Sequence, residues 1–378
     1  MHDIIIRKLK NTIAIYTEGR AYAVSELNKE WNTHCYTYIK AYIGVIYLYF
    51  QAIKGPRKYI FQTLRNKEII ECLNPEDITV IGSRNEFFAC KKQNYQFIWD
   101  GGIAAAVIVA ARGGSTLPLR LQISLAKKAT GRSRKYFFLY EDTLPIGIFL
   151  VTIANERPHV SICIEHGVHS TKEVLLEGLS CRYNLLYQLD HKEGLNGKSV
   201  CLELGPPFDV EVSNELSSSI ILVGTGFQGL FPSFYRKSLD CYRKILNVFE
   251  KTGWRVVYRP HPSERPANYS SHFTHVDKSL KTTCLSGPRK IFIGYQSTLL
   301  YEAKVFGHSV IALRDPDVGQ LKRFMPNKEM DAADIDDIES VVNQLHSEMR
   351  KTTLPKIAPL NQRFSAALKR IELCGDRA

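Results

Sequence analysis

Residues 219–229 have the sequence SIILVGTGFQG, an apolar strand that ends at Gly224 and passes into a glycine-rich turn. A helix pattern follows, because apolar residues recur every three or four positions between Pro232 and Gly253. The next apolar stretch, WRVVY at 254–258, has the composition of a strand. Strand, helix and strand in this order predict a parallel sheet covered by helices.

The same alternation extends in both directions from this stretch. Downstream, the pattern predicts strands at 290–293 and 309–313 and helices at 297–306, 335–349 and 362–373. Upstream, it predicts short strands at 78–81, 97–99, 135–140 and 160–164. The chain is therefore predicted to be an α/β protein with a Rossmann-like second half and a second α/β domain before it.

A polar, proline-containing stretch separates the two halves. Gly205-Pro206-Pro207 and residues 211–218 have the composition of a linker, so we predict domains at 1–215 and 216–378. A chain of 378 residues is long enough for two cores. Because ligands of parallel sheets bind beyond the carboxyl ends of the strands, the loops there are where we expect the chemistry.

Charge is concentrated in the first half. Residues 1–135 carry 21 Lys and Arg against 10 Asp and Glu, and the whole chain has a formal charge of +12. This imbalance predicts that the first half meets an anionic partner: a membrane surface, an acidic glycan or nucleic acid. The segment Tyr36–Phe50 is apolar but interrupted by Lys40, and a span needs about 20 apolar residues, so we predict a buried or interfacial helix.

The nine cysteines are scattered and never spaced as C-x-x-C. That pattern favours free thiols in a reducing compartment over a disulfide frame or a zinc site. The N-terminal run Ile4–Ile6 precedes Arg7 and Lys8, which is the reverse of the charge order in a secretory signal. We therefore expect a cytoplasmic protein.

Two loops of the second half carry candidate anion-binding residues. Gly224 and Gly226 begin a G-x-G-x-x-G pattern, which either approaches a phosphate or simply turns tightly. The following strand ends in Arg259 instead of the acidic residue of nicotinamide-binding proteins, so a nicotinamide cofactor is disfavoured. The prolines on either side of His261 fix its backbone and position the imidazole beside Arg259.

A helix start supplies the third candidate. Ser297 or Thr298 is expected to cap the helix after the strand at 290–293, and free N–H groups with hydroxyls there bind phosphate. Glu302 follows one turn later, where its carboxylate would accept hydrogen bonds from a ribose.

The first half offers candidate catalytic residues after two of its strands. Glu165 and His166 follow the strand at 160–164, and Gly167 permits a sharp turn that leaves the imidazole accessible. Glu141 and Asp142 follow the strand at 135–140 and are rivals for the same role.

Taken in order, these motifs resemble a family. Their order along the chain is a strand before His166-Gly167, then Arg259-Pro260-His261-Pro262, then Ser297-Thr298 at the start of a helix that reaches Glu302-Ala303. This order is similar to that in GT-B transferases of bacterial surface-polysaccharide assembly. The pattern resembles CDP-glycerol glycerophosphotransferases and capsule polymerases, and bacterial sialyltransferases share the His-Pro and Ser/Thr elements. The likeness covers motifs within about residues 160–313.

The resemblance implies a GT-B fold, with two Rossmann-like domains facing each other across a cleft, and a glycosyltransferase. His166 would be the base, and His261, Ser297 and Thr298 would contact the phosphate of a nucleotide-linked donor, CMP- or CDP-linked by analogy. No metal and no separate cofactor are expected. The acceptor would be a glycan or a lipid-linked glycan of the cell surface, as in capsule or lipopolysaccharide synthesis, and the enzyme peripheral on the inner membrane face.

The sequence of this chain differs from the glycerophosphotransferase pattern in two motifs. Glycerophosphotransferases have an aspartate-tyrosine pair before their serines and a tryptophan before the His-Gly, where this chain has Gly294-Tyr295-Gln296 and Glu165. Two alternatives stay open. A nucleotide-sugar 2-epimerase has the same architecture and a His-Pro loop, and Leu313-Arg314-Asp315 is similar to that family. A non-catalytic protein that binds anions or nucleic acid through the basic half is the other, although no nucleic-acid motif supports it.

Overall fold

The computed structural model describes residues 1–19, 35–142, 144–156, 158–165, 180–187, 199–228, 231–316, 328–331 and 334–375. Contacts divide the chain into two compact units. Among the described residues, the first unit contains 1–165, 180–207 and 360–375, and the second contains 208–359 with the gaps given above.

The first unit is built on a parallel sheet of seven strands in the order β3-β2-β1-β4-β5-β6-β7. The strands are β1 (Tyr59–Gln62), β2 (Ile78–Gly82), β3 (Gln96–Trp99), β4 (Tyr136–Leu139), β5 (Val160–Ile164), β6 (Tyr183–Leu186) and β7 (Val200–Glu203). The helices before β7 are α1 (His2–Gly19), α2 (Cys35–Lys54), α3 (Lys67–Ile70), α4 (Phe87–Lys92), α5 (Gly101–Ala111), α6 (Leu117–Thr130) and α7 (Pro145–Ala154). The strand order reverses between β1 and β4, as in Rossmann folds.

This sheet is buried on both faces, because helices cover each side. Ile60 of β1 belongs to a core with α1, α2 and α5–α7, whereas its neighbour Phe61 belongs to the core on the other side. Phe61 stacks on Phe138 of β4, with ring centroids 4.5 Å apart. The four predicted strands of the first half are confirmed as β2–β5, and β1, β6 and β7 were not predicted.

The second unit contains a five-stranded parallel sheet in the order β12-β11-β10-β8-β9. The strands are β8 (Val212–Val223), β9 (Arg255–Arg259), β10 (Gly287–Gly294), β11 (Ser309–Arg314) and β12 (Lys328–Asp331). The helices are α8 (Pro232–Phe249), α9 (Lys281–Leu285), α10 (Thr298–Val305) and α11 (Ile338–Lys351). The predicted strands and helices of this half are confirmed, and α9 and β12 were not predicted.

The division of the chain differs from the expected boundary near residue 215. Residues 212–218, interpreted as linker, form the first part of β8, because they pair with Gly287–Arg289 at the start of β10. Their side chains are exposed or half-buried, which explains their polar composition. The last helix, α12 (Leu360–Gly375), returns to the first unit, where Phe364 packs against Phe138 and Arg363 donates to the carbonyls of Leu204 and Pro206.

The segment for which a buried or an interfacial helix was predicted is α2, and one of its faces is buried. Gly44 lies against Gly102 of α5, so close that a Cβ on Gly102 would stand 2.4 Å from the Cα of Gly44. The Gln122 amide of α6 donates to the carbonyl oxygens of Ala41, at 2.9 Å, and Gly102, at 3.1 Å. Two glycines and one amide therefore hold three helices together.

Within the described part of the chain, no helix combines the length and the apolar character that crossing a membrane requires.

The glycine contact predicts a stability effect. Gly102→Ala should lower the free energy of unfolding of the first unit by about 1–3 kcal/mol, since a methyl group must push α2 away from α5. Calorimetry should then show a lower Tm, by roughly 2–4 °C per kcal/mol. Gly253→Ala is the matched control, because a Cβ at Gly253 meets nothing within 4 Å. A wild-type Tm for Gly102→Ala would contradict the close crossing.

Candidate functional site

Three neighbouring strands of the second sheet end at the same level. Val223 of β8 pairs with Arg259 of β9 on one side and with Gly294 of β10 on the other. The strand order reverses between β8 and β10, and ligands of such sheets bind at that reversal. Adjacent strands lie about 4.8 Å apart, so the ends of β9 and β10 are roughly 10 Å from each other.

The loop after β9 is held by the buried carboxylate of Glu264. Its Oε2 accepts hydrogen bonds from the hydroxyls of Tyr258, at 2.6 Å, and Tyr235, at 3.1 Å. Its Oε1 accepts the backbone N–H of His261 at 3.1 Å. Burial raises the pKa of Glu264 above its ordinary value, although these hydrogen bonds oppose the shift. The His-Pro loop is thus anchored to β9 and to α8.

The imidazole of His261 has a defined tautomer. Its Nδ1 accepts the backbone N–H of Ser263 at 3.2 Å and lies 2.8 Å from the Ser263 hydroxyl. Because a backbone N–H can only donate, the proton of the neutral ring is on Nε2. Burial lowers the pKa of His261 below its ordinary value, so the ring is neutral at pH 7. His261 therefore offers Nε2–H as a hydrogen-bond donor.

The two glycines of the loop after β8 make room for the His-Pro loop. A Cβ on Gly224 would stand 2.4 Å from Oε1 of Glu264 and 2.9 Å from the backbone nitrogen of His261. A Cβ on Gly226 would stand 2.9 Å from Cε1 of the His261 ring. Neither glycine has a positive φ. Glycine is required at both positions because the two loops approach each other closely. A left-handed backbone conformation is not the reason.

The side chain of Arg259 forms an ion pair and a hydrogen bond within the protein. Its Nη1 lies 2.8 Å from Oδ2 of Asp277, and its Nη2 donates to the Ser279 carbonyl at 3.0 Å. The ion pair is mostly buried. The guanidinium therefore fastens the end of β9 to the segment before α9, and direct contact with a ligand stays a prediction.

The helix start after β10 has the expected cap. Ser297 has extended backbone angles and its hydroxyl accepts the N–H of Leu299 at 3.3 Å, so Ser297 is the N-cap of α10. Thr298 is the first helical residue, and both side chains are half-buried. This confirms the predicted capping and places the positive end of the α10 dipole at the level of the His-Pro loop.

Glu302 lies on α10 but is fully buried. Its Oε1 accepts from Nζ of Lys281 at 2.7 Å, and the same Nζ lies 4.2 Å from the ring centroid of Phe208. The pair fastens α10 to α9. The expected contact of Glu302 with a ribose stays a prediction.

Two buried residues at this edge were not among the site residues predicted from the sequence, although Asp315 belongs to the Leu313-Arg314-Asp315 stretch that is similar to the epimerase family. Thr225, between the two glycines, is 1% exposed, and its hydroxyl has no hydrogen-bond partner among the described residues. Asp315, directly after β11, is fully buried and lies 2.5 Å from Nζ of Lys237 on α8. Thr225 lies in the turn after β8, and Asp315 directly follows β11. A position just after a strand is the sequence signal for both residues.

The first unit gathers its carboxylates at the corresponding edge. Glu141 accepts from the Gln62 amide and from the N–H of Leu144, each at 2.6 Å. Asp142 accepts the N–H of Ser180 at 2.5 Å, and Glu165 accepts that of Tyr187 at 2.5 Å. All three side chains are buried. These contacts give the three acids a structural function, which is to hold the loops after β4 and β5.

His166 lies outside the described residues, directly after Glu165. The structure adds another acid, Asp100, at the end of β3. Burial, together with the nearby carboxylate of Glu86, raises the pKa of Asp100 to about 6. Its position directly after the strand predicted at 97–99 is the local signal for it in the sequence.

Comparison with known proteins defines the fold class. No protein-family model matches the chain, and no curated protein matches it in sequence. Its structure is similar to that of the UDP-GlcNAc 2-epimerase of Methanocaldococcus jannaschii, solved with UDP-GlcNAc and UDP: the TM-score is 0.51 and the identity 10%, over 82% of this chain and 99% of that chain.

Two other solved structures score lower. The spinosyn forosaminyltransferase SpnP has a TM-score of 0.48 at 8% identity, over 85% of this chain and 100% of that chain. The GtfA/B complex has a TM-score of 0.43 at 11% identity, and the match spans 69% of this chain and 61% of that chain. The predicted class, an α/β protein of GT-B type with two Rossmann-like domains, is confirmed by the sheets and the epimerase match.

The loop packing predicts that Gly224 cannot be replaced. Gly224→Ala should lower the free energy of unfolding by about 1–3 kcal/mol, because its methyl group meets a carboxylate and a backbone nitrogen that are both held in place. Chemical denaturation followed by circular dichroism measures this. Gly253→Ala again serves as the control. Equal stability of the two variants would show that the loops do not meet as described.

Proposed function

We propose that this protein is a glycosyltransferase that moves a sugar, or a sugar-like polyol phosphate, from a nucleotide-activated donor to an acceptor. The acceptor class that we propose is a cell-surface glycan or glycolipid. The supporting observations are the GT-B fold class, the order of the motifs and the groups collected at the end of the second sheet. The reaction we propose needs neither a metal ion nor a separate cofactor.

One observation carries the proposal: three anion-favouring features end side by side at the strand reversal. His261 after β9 presents Nε2–H, and the α10 N-terminus after β10 presents backbone N–H groups. The loop after β8 lies between them, and its Gly224 and Gly226 have no side chains. A nucleotide diphosphate placed across this edge meets donors at both ends.

The chemistry that we propose follows from these groups. With a sugar donor, the acceptor hydroxyl attacks the sugar carbon and the bond from that carbon to the phosphate oxygen breaks; with a polyol phosphate donor, it attacks phosphorus and the phosphoanhydride bond breaks. In both cases negative charge grows on the leaving phosphate. His261 and the α10 N-terminus stabilise that charge, and removing one such donor costs about 10² to 10³ in rate. His166 is the proposed base for the acceptor proton, which contributes about 10² to 10⁴. Glu165, Glu141 and Asp142 hold the loops after β4 and β5.

A nucleotide-sugar 2-epimerase is the second candidate. The similar structure from Methanocaldococcus jannaschii is an epimerase with UDP-GlcNAc and UDP, and it favours a nucleotide-sugar ligand under either function. The reactions differ in their need for an acceptor. An epimerase changes its nucleotide sugar alone, whereas a transferase releases nucleotide only when an acceptor is supplied.

The donor prediction is tested by thermal shift. CMP, CDP, UDP and GDP, with their sugar-linked forms, should be screened against the full chain. A ligand at 100 times its Kd stabilises by about 2.7 kcal/mol, which is several degrees in Tm. We expect one base to be preferred. Release of nucleotide in the presence of a glycan acceptor then supports transfer, isomerisation without acceptor supports the epimerase, and no stabilisation by any nucleotide contradicts both.

The His261 prediction concerns pH. Burial lowers the pKa of the free imidazole, and a bound phosphate should raise it again, because the anion favours the imidazolium. Binding then takes up a proton, so nucleotide affinity should rise as the pH falls from 8 to 6. His261→Gln removes this gain and should weaken binding by roughly ten- to hundredfold at pH 6, since hydrogen bonds to charged groups contribute about 1.5–3 kcal/mol.

Calorimetric titration of wild type and His261→Gln at three pH values measures the difference, in which the nucleotide's own titration cancels. Gly226→Ala should reproduce part of the loss with a small change in Tm, because its methyl group displaces only the imidazole. Parallel pH profiles for wild type and His261→Gln would remove His261 from the phosphate site.

A further inference from the structure

The outer face of α2 is apolar. Six of its side chains are between 50% and 72% exposed, and none of them carries a charge: Tyr36, Ile39, Ile46, Tyr49, Phe50 and Ile53. We call these six residues the outer face of α2. Exposed apolar patches of this kind mark surfaces that bind a protein or a membrane.

The helix geometry places these residues together. At 3.6 residues per turn, the six fall within an arc of about 140°. The buried residues Ala41, Gly44 and Leu48 occupy the opposite side. The contact of Gly44 with Gly102 fixes the rotation of α2 about its own axis, so the outer face cannot turn inward without separating the two helices.

The apolar surface continues onto α6. Leu117 is 50% exposed and Leu121 39%, and a groove of about 350 Å³ between the helices is lined by Tyr49, Leu121 and Leu125 among others. Leu121 and Lys128 are seven positions apart and share one face of α6. A basic side chain therefore borders the apolar strip.

The charge on these two helices has one sign. The sequences of α2 and α6 contain no Asp or Glu. They contain five basic residues: Lys40, Lys54, Arg120, Lys127 and Lys128. Arg120 and Lys128 are exposed, and Lys127 pairs with Glu156 of the segment after α7 at 2.6 Å. The surface combines apolar and tyrosine side chains with a positive border.

We propose that the outer face of α2 docks on an anionic lipid bilayer, with the helix lying in the plane of the interface. Tyrosine is suited to this position because its ring is apolar and its hydroxyl is hydrated. The exposed Arg120 and Lys128 would meet the lipid phosphates. A second copy is a poorer partner, because a symmetric contact would bring two positive surfaces together. The proposal is independent of the reaction at the second sheet.

Vesicle co-sedimentation of the full chain tests the docking. The probes are vesicles of phosphatidylcholine alone and vesicles with one quarter phosphatidylglycerol. We expect binding to the anionic vesicles that weakens with added salt. Ile46→Glu with Phe50→Glu should lower the partition coefficient at least tenfold, and so should Arg120→Glu with Lys128→Glu. Phe88→Glu is the matched control, since Phe88 is 77% exposed on α4.

Each outcome decides the proposal. Circular dichroism and Tm establish that every variant is folded. Loss of binding in the α2 variant and retention in Phe88→Glu support the docking. Equal binding by all variants, or no binding by wild type, overturns it. Analytical ultracentrifugation of wild type and the α2 variant identifies the replacement: a dimer that the α2 variant abolishes assigns the face to a second copy.

Discussion

Both units depend on one constraint: the central strands of their parallel sheets are covered on two sides, so polar side chains have little place there, and the polar first part of β8 lies outside that covered region. Polar groups collect instead at the carboxyl ends, where each must find partners inside the protein. In the second unit the carboxylate of Glu264 accepts hydrogen bonds from the hydroxyls of Tyr235 and Tyr258 and from the backbone N–H of His261. The geometry of the candidate site follows from that buried carboxylate.

Contacts inside the protein also organise the site before any ligand binds. Gly224 and Gly226 bring the loop after β8 against the His-Pro loop, and the Ser297 hydroxyl caps α10 at the next strand. Donors held in advance need no reorganisation when charge develops on a leaving group. Burial lowers the pKa of His261, and a bound anion would favour the imidazolium.

The first unit differs in the roles of its buried acids and its outer helices. Its inner acids hold loops, while its outer helices present apolar and basic side chains, and the contact of Gly44 with Gly102 decides which side of α2 faces outward. An acceptor carried on a lipid would be reached most readily by a protein docked on the membrane. The proposed function and the proposed docking would then serve the same substrate, although each stands on separate residues.

The sequence by itself determined the α/β class, most of the strands and a helix cap at Ser297 or Thr298, because periodicity and capping are local properties. It also located the loops of Gly224, His261 and Ser297. Only the tertiary structure decided the strand order, the return of α12 to the first unit and the partners of Arg259 and Glu302. These depend on contacts between distant parts of the chain, such as Lys281 with Glu302, and no local pattern encodes them.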